Sequence, residues 1–454
     1  MDKTKALGEE KVSSLLWKFS VPAIFAMLVN ALYNVVDSIF VGHGVGEIGL
    51  TAVTIAFPLM MVLMAVGMLI GLGAATLVSI RLGENNKAEA ELILGNAFTL
   101  IMVLVLTTTA GLLMFLDPIL IKLGATPDVL PYARDFTKII LMGSLFMHIG
   151  FGLNGVIRAQ GDQNTAVATT LVSAVLNMVL NPLFIFGLGL GIKGSALATV
   201  VAQAVVAIWV IVYFVRGTVG LKLKRAYIGL RADIAVSIFK IGLSGFLMQA
   251  TNSIVMVIIN YQLMAYGGTV AIAAYGVINR VFMLMLMPVL GIMQGAQPII
   301  GYNYGARQFD RVITTLKIAA VAATATSVCG FIVVEVFPAY IMQLFNGDAE
   351  LTRLGAYAMR LFFVMLPVIG FQVVGANYFQ AVGKVNYAIV LNLLRQVIIL
   401  IPVLSILPGL IGLNGIWLAG PISDFFAAAI TGVCLTMEVR RLTTAHGDEQ
   451  LSAG

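Results

Sequence analysis

AVTIAFPLMMVLMAVGMLIGLGAATLVSI, residues 52–80, contains no ionisable side chain in 29 positions. A helix that crosses a bilayer needs about 20 predominantly apolar residues. The stretch therefore reads as one membrane span, with residues to spare for tilt. Eleven further runs of the same kind lie at 15–41, 91–116, 134–157, 164–187, 194–215, 236–264, 270–300, 312–337, 354–379, 386–407 and 412–438. Only helices and closed barrels satisfy every backbone group in lipid, and runs of this length select helices. An all-α membrane protein of twelve transmembrane helices is expected. Composition agrees, since 60% of the residues are hydrophobic and 11% charged, against about 25% charged in a soluble domain. The first run is too long for a signal-peptide core and lacks a small-residue cleavage pattern, so it is expected to be retained.

Twelve spans put both termini on one side. If that side is the cytoplasm, Lys3, Lys5, Lys11, Lys18, Arg81, Lys87, Arg158, Arg307, Arg311, Lys384, Arg440 and Arg441 fall inside. So does the basic set Arg216, Lys222, Lys224, Arg225 and Arg231. The outer loops keep only Lys122, Arg134, Lys138, Lys193, Arg353 and Arg360, several diluted by acids. This is the positive-inside bias of a plasma (inner) membrane protein with cytoplasmic termini. The net charge of +6 is accounted for by these loops and implies no nucleic-acid partner. Cys329 and Cys434 lie in apolar segments, and His43, His148 and His446 are scattered, so neither a disulfide framework nor a metal site is expected.

The chain also repeats itself. At an offset of 222, Gly73-Ala74 aligns with Gly295-Ala296, Gly83 with Gly305, Ala159 and Gly161 with Ala381 and Gly383, and Ala52 with Ala274. Each half then holds six spans, an even number, so both insert in the same orientation. That implies parallel repeats about an axis along the membrane normal. The expected divisions are an N-lobe at 1–215, a basic cytoplasmic linker at 216–235, and a C-lobe with a short tail at 236–454.

Ionisable and amide groups in mid-span are the informative ones, because burying a charge at the helix centre costs about 2.5–3.5 kcal/mol on insertion scales. In the first span Asn30, Tyr33, Asn34 and Asp37 share one helical face. In the fifth, Asn177 and Asn181 form an i,i+4 pair, and Pro182 leaves the Met178 carbonyl without its usual donor. One carboxylate, two amide oxygens and a freed carbonyl suit a hard monovalent cation. Alternatively the carboxylate takes up a proton, and the asparagines are interhelical glue. Arg395 and Asp424 lie at similar depth on neighbouring spans and are expected to form a structural ion pair; Arg280 is an alternative partner for Asp424. Methionines around the eighth span, Met283 and Met287 among them, suit an adaptable apolar pocket or plain packing. No GxxxxGK[ST], HExxH, GxSxG or CxxC motif is present. Direct use of ATP and the common hydrolytic chemistries are thereby excluded, and ion-coupled transport remains.

Several segments resemble the multidrug and toxic compound extrusion (MATE) family. They are Pro22 with Asp37-Ser-Ile-Phe-Val-Gly42, Arg158-Ala-Gln-Gly-Asp162, Asn181-Pro-Leu-Phe-Ile-Phe-Gly187 and Gly194-Ser-Ala-Leu-Ala-Thr199. In the second half they are Gln294 to Ala306, Gln380-Ala-Val-Gly383 and Pro421-Ile-Ser-Asp424. The resemblance implies a V-shaped pair of six-helix lobes and no enzymatic activity or cofactor. It further implies a monomer that exports small hydrophobic or cationic organic compounds through the lipid bilayer in exchange for H⁺ or Na⁺. Carried onto this sequence, the coupling site comprises Asp37, Asn177, Asn181 and Thr199, and Asn30, Tyr33, Asn34, Gln294, Met283 and Met287 are substrate-cavity candidates. Many similar bacterial members have an aspartate where this chain has Asn181, so a single obvious carboxylate remains and proton coupling at Asp37 is favoured. The competing expectation is a flippase for lipid-linked precursors or polysaccharides, for which Arg280 and Arg395 supply little basic lining. A channel and a membrane enzyme are less well matched.

Overall fold

The computed structural model describes residues 3–217, 220–345 and 348–453, and these are helical with short connections and no strand. In chain order the helices are α1 (Lys3–Glu9), α2 (Val12–Val45), α3 (Glu47–Gly83), α4 (Lys87–Met114), α5 (Leu116–Lys122), α6 (Leu130–Ala159) and α7 (Gln163–Pro182). Next come α8 (Ile192–Arg216), α9 (Ala232–Gly305), α10 (Phe309–Val336), α11 (Pro338–Phe345), α12 (Ala349–Phe363) and α13 (Leu366–Ala381). Then follow α14 (Val385–Leu393), α15 (Ile401–Ile411) and α16 (Leu413–Ala453). Leu183–Gly187 and Leu394–Leu400 are wound as π-helix.

Ten of these helical stretches, counting a π-wound segment with its neighbours, are long and apolar enough to cross a bilayer; α12 and α13 together make another, bent by 47°. The 74 residues of α9 would reach about 110 Å, against a hydrocarbon core of about 30 Å. Gly268 divides it at φ 63, ψ −159, a conformation open to glycine because it lacks Cβ. With α9 counted as two spans, the described residues hold the expected twelve. Gly268 falls between the runs expected at 236–264 and 270–300 and divides them. One expectation needs correction. The span expected at 354–379 is not continuous, because Pro367 lacks the N–H that would carry α12 into α13.

The repeat is written in the backbone. Gly46 and Gly268, Asn85 and Arg307, and Gly161 and Gly383 all have positive φ, and each pair is 222 residues apart. The short helices α5 and α11 begin at Leu116 and Pro338, again 222 apart. Asn85 and Arg307 show that the turns are equivalent even where no glycine eases them.

Packing divides the chain into two compact units, Met1–Glu9 with Phe25–Phe246, and Glu10–Ile24 with Leu247–Gly454. In the first, α6 is central, packed on α3 and α8. Backbones meet closely there, as a Cβ on Gly71 would lie 3.0 Å from Gly152 Cα, and one on Gly155 would lie 3.1 Å from Ala75 Cβ. In the second, Leu263, Ile278, Phe363 and Trp417 form the core, and Gly370 lets α13 approach the Ala323 carbonyl of α10.

Buried polar groups fasten the connections of the first unit. Gln160 Oε1 accepts from Leu221 N at 3.0 Å, Glu91 Oε1 from Lys222 N at 3.2 Å, and Asn96 Oδ1 from Arg231 N at 2.7 Å. α1 is held by Lys3, 2.9 Å from Asp162, and by Thr4 Oγ1, which donates to the Gln160 carbonyl at 3.1 Å. Burial alone would raise the Asp162 carboxyl. Lys3, Thr165 and Tyr213 outweigh that and hold it below the usual carboxylate range.

Candidate cation-coupling site

Three helices of the first unit each contribute an i,i+4 pair to one polar cluster. α2 supplies Tyr33 and Asp37, α7 supplies Asn177 and Asn181, and α8 supplies Ser195 and Thr199. Asn181 Nδ2 donates to Asp37 Oδ1, and Ser195 Oγ donates to the same oxygen at 3.2 Å. One turn along α8, Thr199 Oγ1 accepts from Asn177 Nδ2 at 2.9 Å and is hydrogen-bonded to the Tyr33 hydroxyl. Asn177, Asn181 and Ser195 are fully buried, while Asp37 and Tyr33 are half-buried.

Local sequence explains the geometry. Pro182 cannot continue the α-helical ladder, and the chain winds into a π turn in which Leu188 N bonds the Leu183 carbonyl at 2.9 Å. Gly194 lets α8 press against that turn, since a Cβ there would lie 2.7 Å from the Phe184 carbonyl carbon. The close approach sets Ser195 and Thr199 opposite the two asparagines.

Acceptors outnumber donors in the cluster. Asn177 Oδ1 and Asn181 Oδ1 are buried without a hydrogen-bond partner among the described residues. Leaving a buried polar atom unpaired costs about 1–3 kcal/mol.

The other sequence candidates lie elsewhere. Asn30 is exposed on α2, nearly a turn before Tyr33, and the side chain of Asn34 lies outside the described residues. Gln294 and Met287 are half-buried and Met283 exposed on the second half of α9, in the second unit and outside the Asp37 cluster. Arg395 Nε donates to Asp424 Oδ1 at 2.5 Å, and Ser423 Oγ donates to the Arg395 carbonyl, while Arg280 is exposed. Beside this pair Gln396 Nε2 donates to Asn252 Oδ1 at 2.5 Å. Sequence reasoning overlooked Ser195. Its signal was available, because it stands four residues before Thr199 on the same helical face.

The family model described as MatE matches residues 22–183 and again residues 245–406. The chain belongs to the MatE family. The two matches begin within one position of the 222-residue offset, so the repeat of this sequence is the repeat of the family. MatE proteins are transporters, and this one is therefore a multi-pass membrane transporter rather than an enzyme. It is 28% identical over 408 residues to the multidrug export protein MepA of Staphylococcus haemolyticus (strain JCSC1435), covering 90% of each chain. It is 28% identical over 415 residues to MepA of Staphylococcus aureus (strain MSSA476), covering 89% of each. Among solved structures it is similar to a complex of the MATE multidrug transporter DinF-BH, with 39% identity and a TM-score of 0.89 over 95% of this chain and 96% of that one. An outward-facing multidrug resistance MATE transporter of the MOP superfamily aligns with a TM-score of 0.89 at 25% identity, over 98% and 97%.

Proposed function

We propose that this MatE transporter is a secondary active efflux antiporter. It exports small cationic or amphipathic organic compounds across the plasma (inner) membrane, by alternating access, in exchange for H⁺ bound at Asp37. The observation that carries this reading is the cluster itself: one half-buried carboxylate, with amide and hydroxyl donors on a single oxygen, beside two unpartnered amide oxygens. Such a group changes charge at modest cost when a proton arrives, and the change alters its bonds to α7 and α8. The MepA multidrug export proteins and the DinF-BH multidrug transporter support drug-like organic compounds as the cargo. Asn30, Tyr33, Asn34, Met283, Met287 and Gln294 are proposed to contact it, and the protein is proposed to act as a monomer with cytoplasmic termini.

Na⁺ is the second reading, favoured by the same two oxygens, since a hard cation exchanges its hydration shell for such ligands. The test is efflux of a cationic dye by purified protein in liposomes under an imposed H⁺ or Na⁺ gradient. Efflux should follow the H⁺ gradient, and Asp37→Asn should reduce it to the level of empty liposomes. Efflux driven by Na⁺ alone would transfer the site to the second reading. Full activity of the variant would remove Asp37 from coupling.

A further inference from the structure

His148 takes no part in the Asp37 cluster, yet it is 1% exposed in the middle of α6. Its Nδ1 lies 2.7 Å from the carbonyl oxygen of Ser144, one turn back on the same helix. Its Nε2 lies 2.8 Å from the carbonyl oxygen of Leu63 on α3. Both partners are carbonyls, which only accept. A neutral imidazole has one N–H and one bare lone pair, so either tautomer would set that lone pair against a carbonyl oxygen at hydrogen-bond distance. Only the imidazolium donates in both directions.

The surroundings isolate this bridge. The α3 backbone presses on the ring, and a Cβ on Gly67 would sit 3.3 Å from His148 Cδ2. The Ser144 hydroxyl is engaged with Thr109 Oγ1 at 2.8 Å and with the Leu141 carbonyl at 2.7 Å. The charged residues of the helices around it stand well away along the chain: Glu47 and Arg81 on α3, Lys87, Glu89 and Glu91 on α4, Arg134, Asp135, Lys138 and Arg158 on α6, and Lys193 and Arg216 on α8. The titratable tyrosines, Tyr132 on α6 and Tyr213 on α8, are likewise far along their helices. Among the described residues of these helices, no carboxylate is placed to fix the protonation state. Meanwhile the α3–α6 crossing is lined by Gly67, Gly71, Gly152 and Gly155, which give the helices little side-chain interlock.

We propose that His148 is a proton-binding site of the first unit, separate from Asp37, whose proton ties α6 to α3. With the proton bound, both carbonyls receive a charge-assisted hydrogen bond. When the proton returns to water, one bond becomes a lone-pair contact and the glycine-lined crossing loosens. The clasp is therefore complete at low pH and loses one bond as pH rises. This stands independently of the antiport reading, because it requires neither a substrate nor a gradient.

The test is nitrogen-15 NMR of the full chain in lipid with labelled histidine, in a His43→Gln, His446→Gln background that leaves His148 as the single signal. Between about pH 5 and 8, the range in which histidine changes charge, the ring should pass from two N–H groups to one. The same step should persist with Asp37→Asn. A ring neutral throughout, a ring charged throughout, or a step abolished by Asp37→Asn would each overturn the proposal. Failure of dye efflux in the preceding experiment would leave this readout untouched.

Discussion

Ser195 and Asn181 donate to the same oxygen of Asp37, and their removal should have unequal consequences. Ser195→Ala deletes a single hydroxyl donor, worth about 1 kcal/mol, and should slow gradient-driven dye efflux roughly fivefold without abolishing it. Efflux at the wild-type rate would show that Ser195 does not support Asp37. Asp162 makes a different kind of prediction, since it lies between α6 and α7 and holds α1. Its folded-state value is depressed, so it stabilises the docked helix above the ordinary carboxylate value of about 3.9. That stability is lost as pH falls through the depressed value. A spin label at the exposed Lys5 should be immobile at neutral pH and gain mobility progressively as pH falls below about 4 and through the depressed value. Asp162→Asn should make it mobile at neutral pH as well.

At the scale of elements, both π-helical stretches accompany a polar group in mid-span, Asn181 just before Leu183–Gly187 and Arg395 within Leu394–Leu400. A π turn re-aims side chains that a regular helix would spread around its circumference. The ion pair between the second π stretch and α16 can be tested thermodynamically. Arg395→Met alone strands a buried carboxylate and should cost about 3–5 kcal/mol, whereas Arg395→Met with Asp424→Leu should recover most of the loss. Thermal unfolding of the purified proteins compares the two. Equal stability of the single and double variants would show that Asp424 finds another partner. Helix lengths and the proline-bearing positions were legible at this scale, because apolar run length and missing N–H groups are local properties. The π windings were not, since Pro182 marks where the α-helical ladder must break but not that the chain rewinds as a π turn with α8 pressed against it at Gly194.

Across the whole molecule, the basic stretch after α8 is anchored through Gln160, Glu91 and Asn96, three polar side chains buried in the first unit. Asn96→Ala should leave Arg231 N without its acceptor and expose residues 221–231 to trypsin, read as faster cleavage after Lys224 and Arg225 than in wild type. Unchanged cleavage would show that the remaining anchors suffice. By itself the sequence determined what depends on composition and period: a membrane protein, twelve spans, a 222-residue repeat, and the face of α2 that carries Asp37. These follow because lipid tolerates few charges and forces backbone hydrogen bonds to close within each span. Only the tertiary structure decided which polar groups meet. Ser195 joined the Asp37 cluster, His148 found the Leu63 carbonyl, and Gln160, Glu91 and Asn96 caught the stretch after α8. Each of these contacts links residues far apart in the chain, and helix packing, rather than sequence spacing, sets the distance between them.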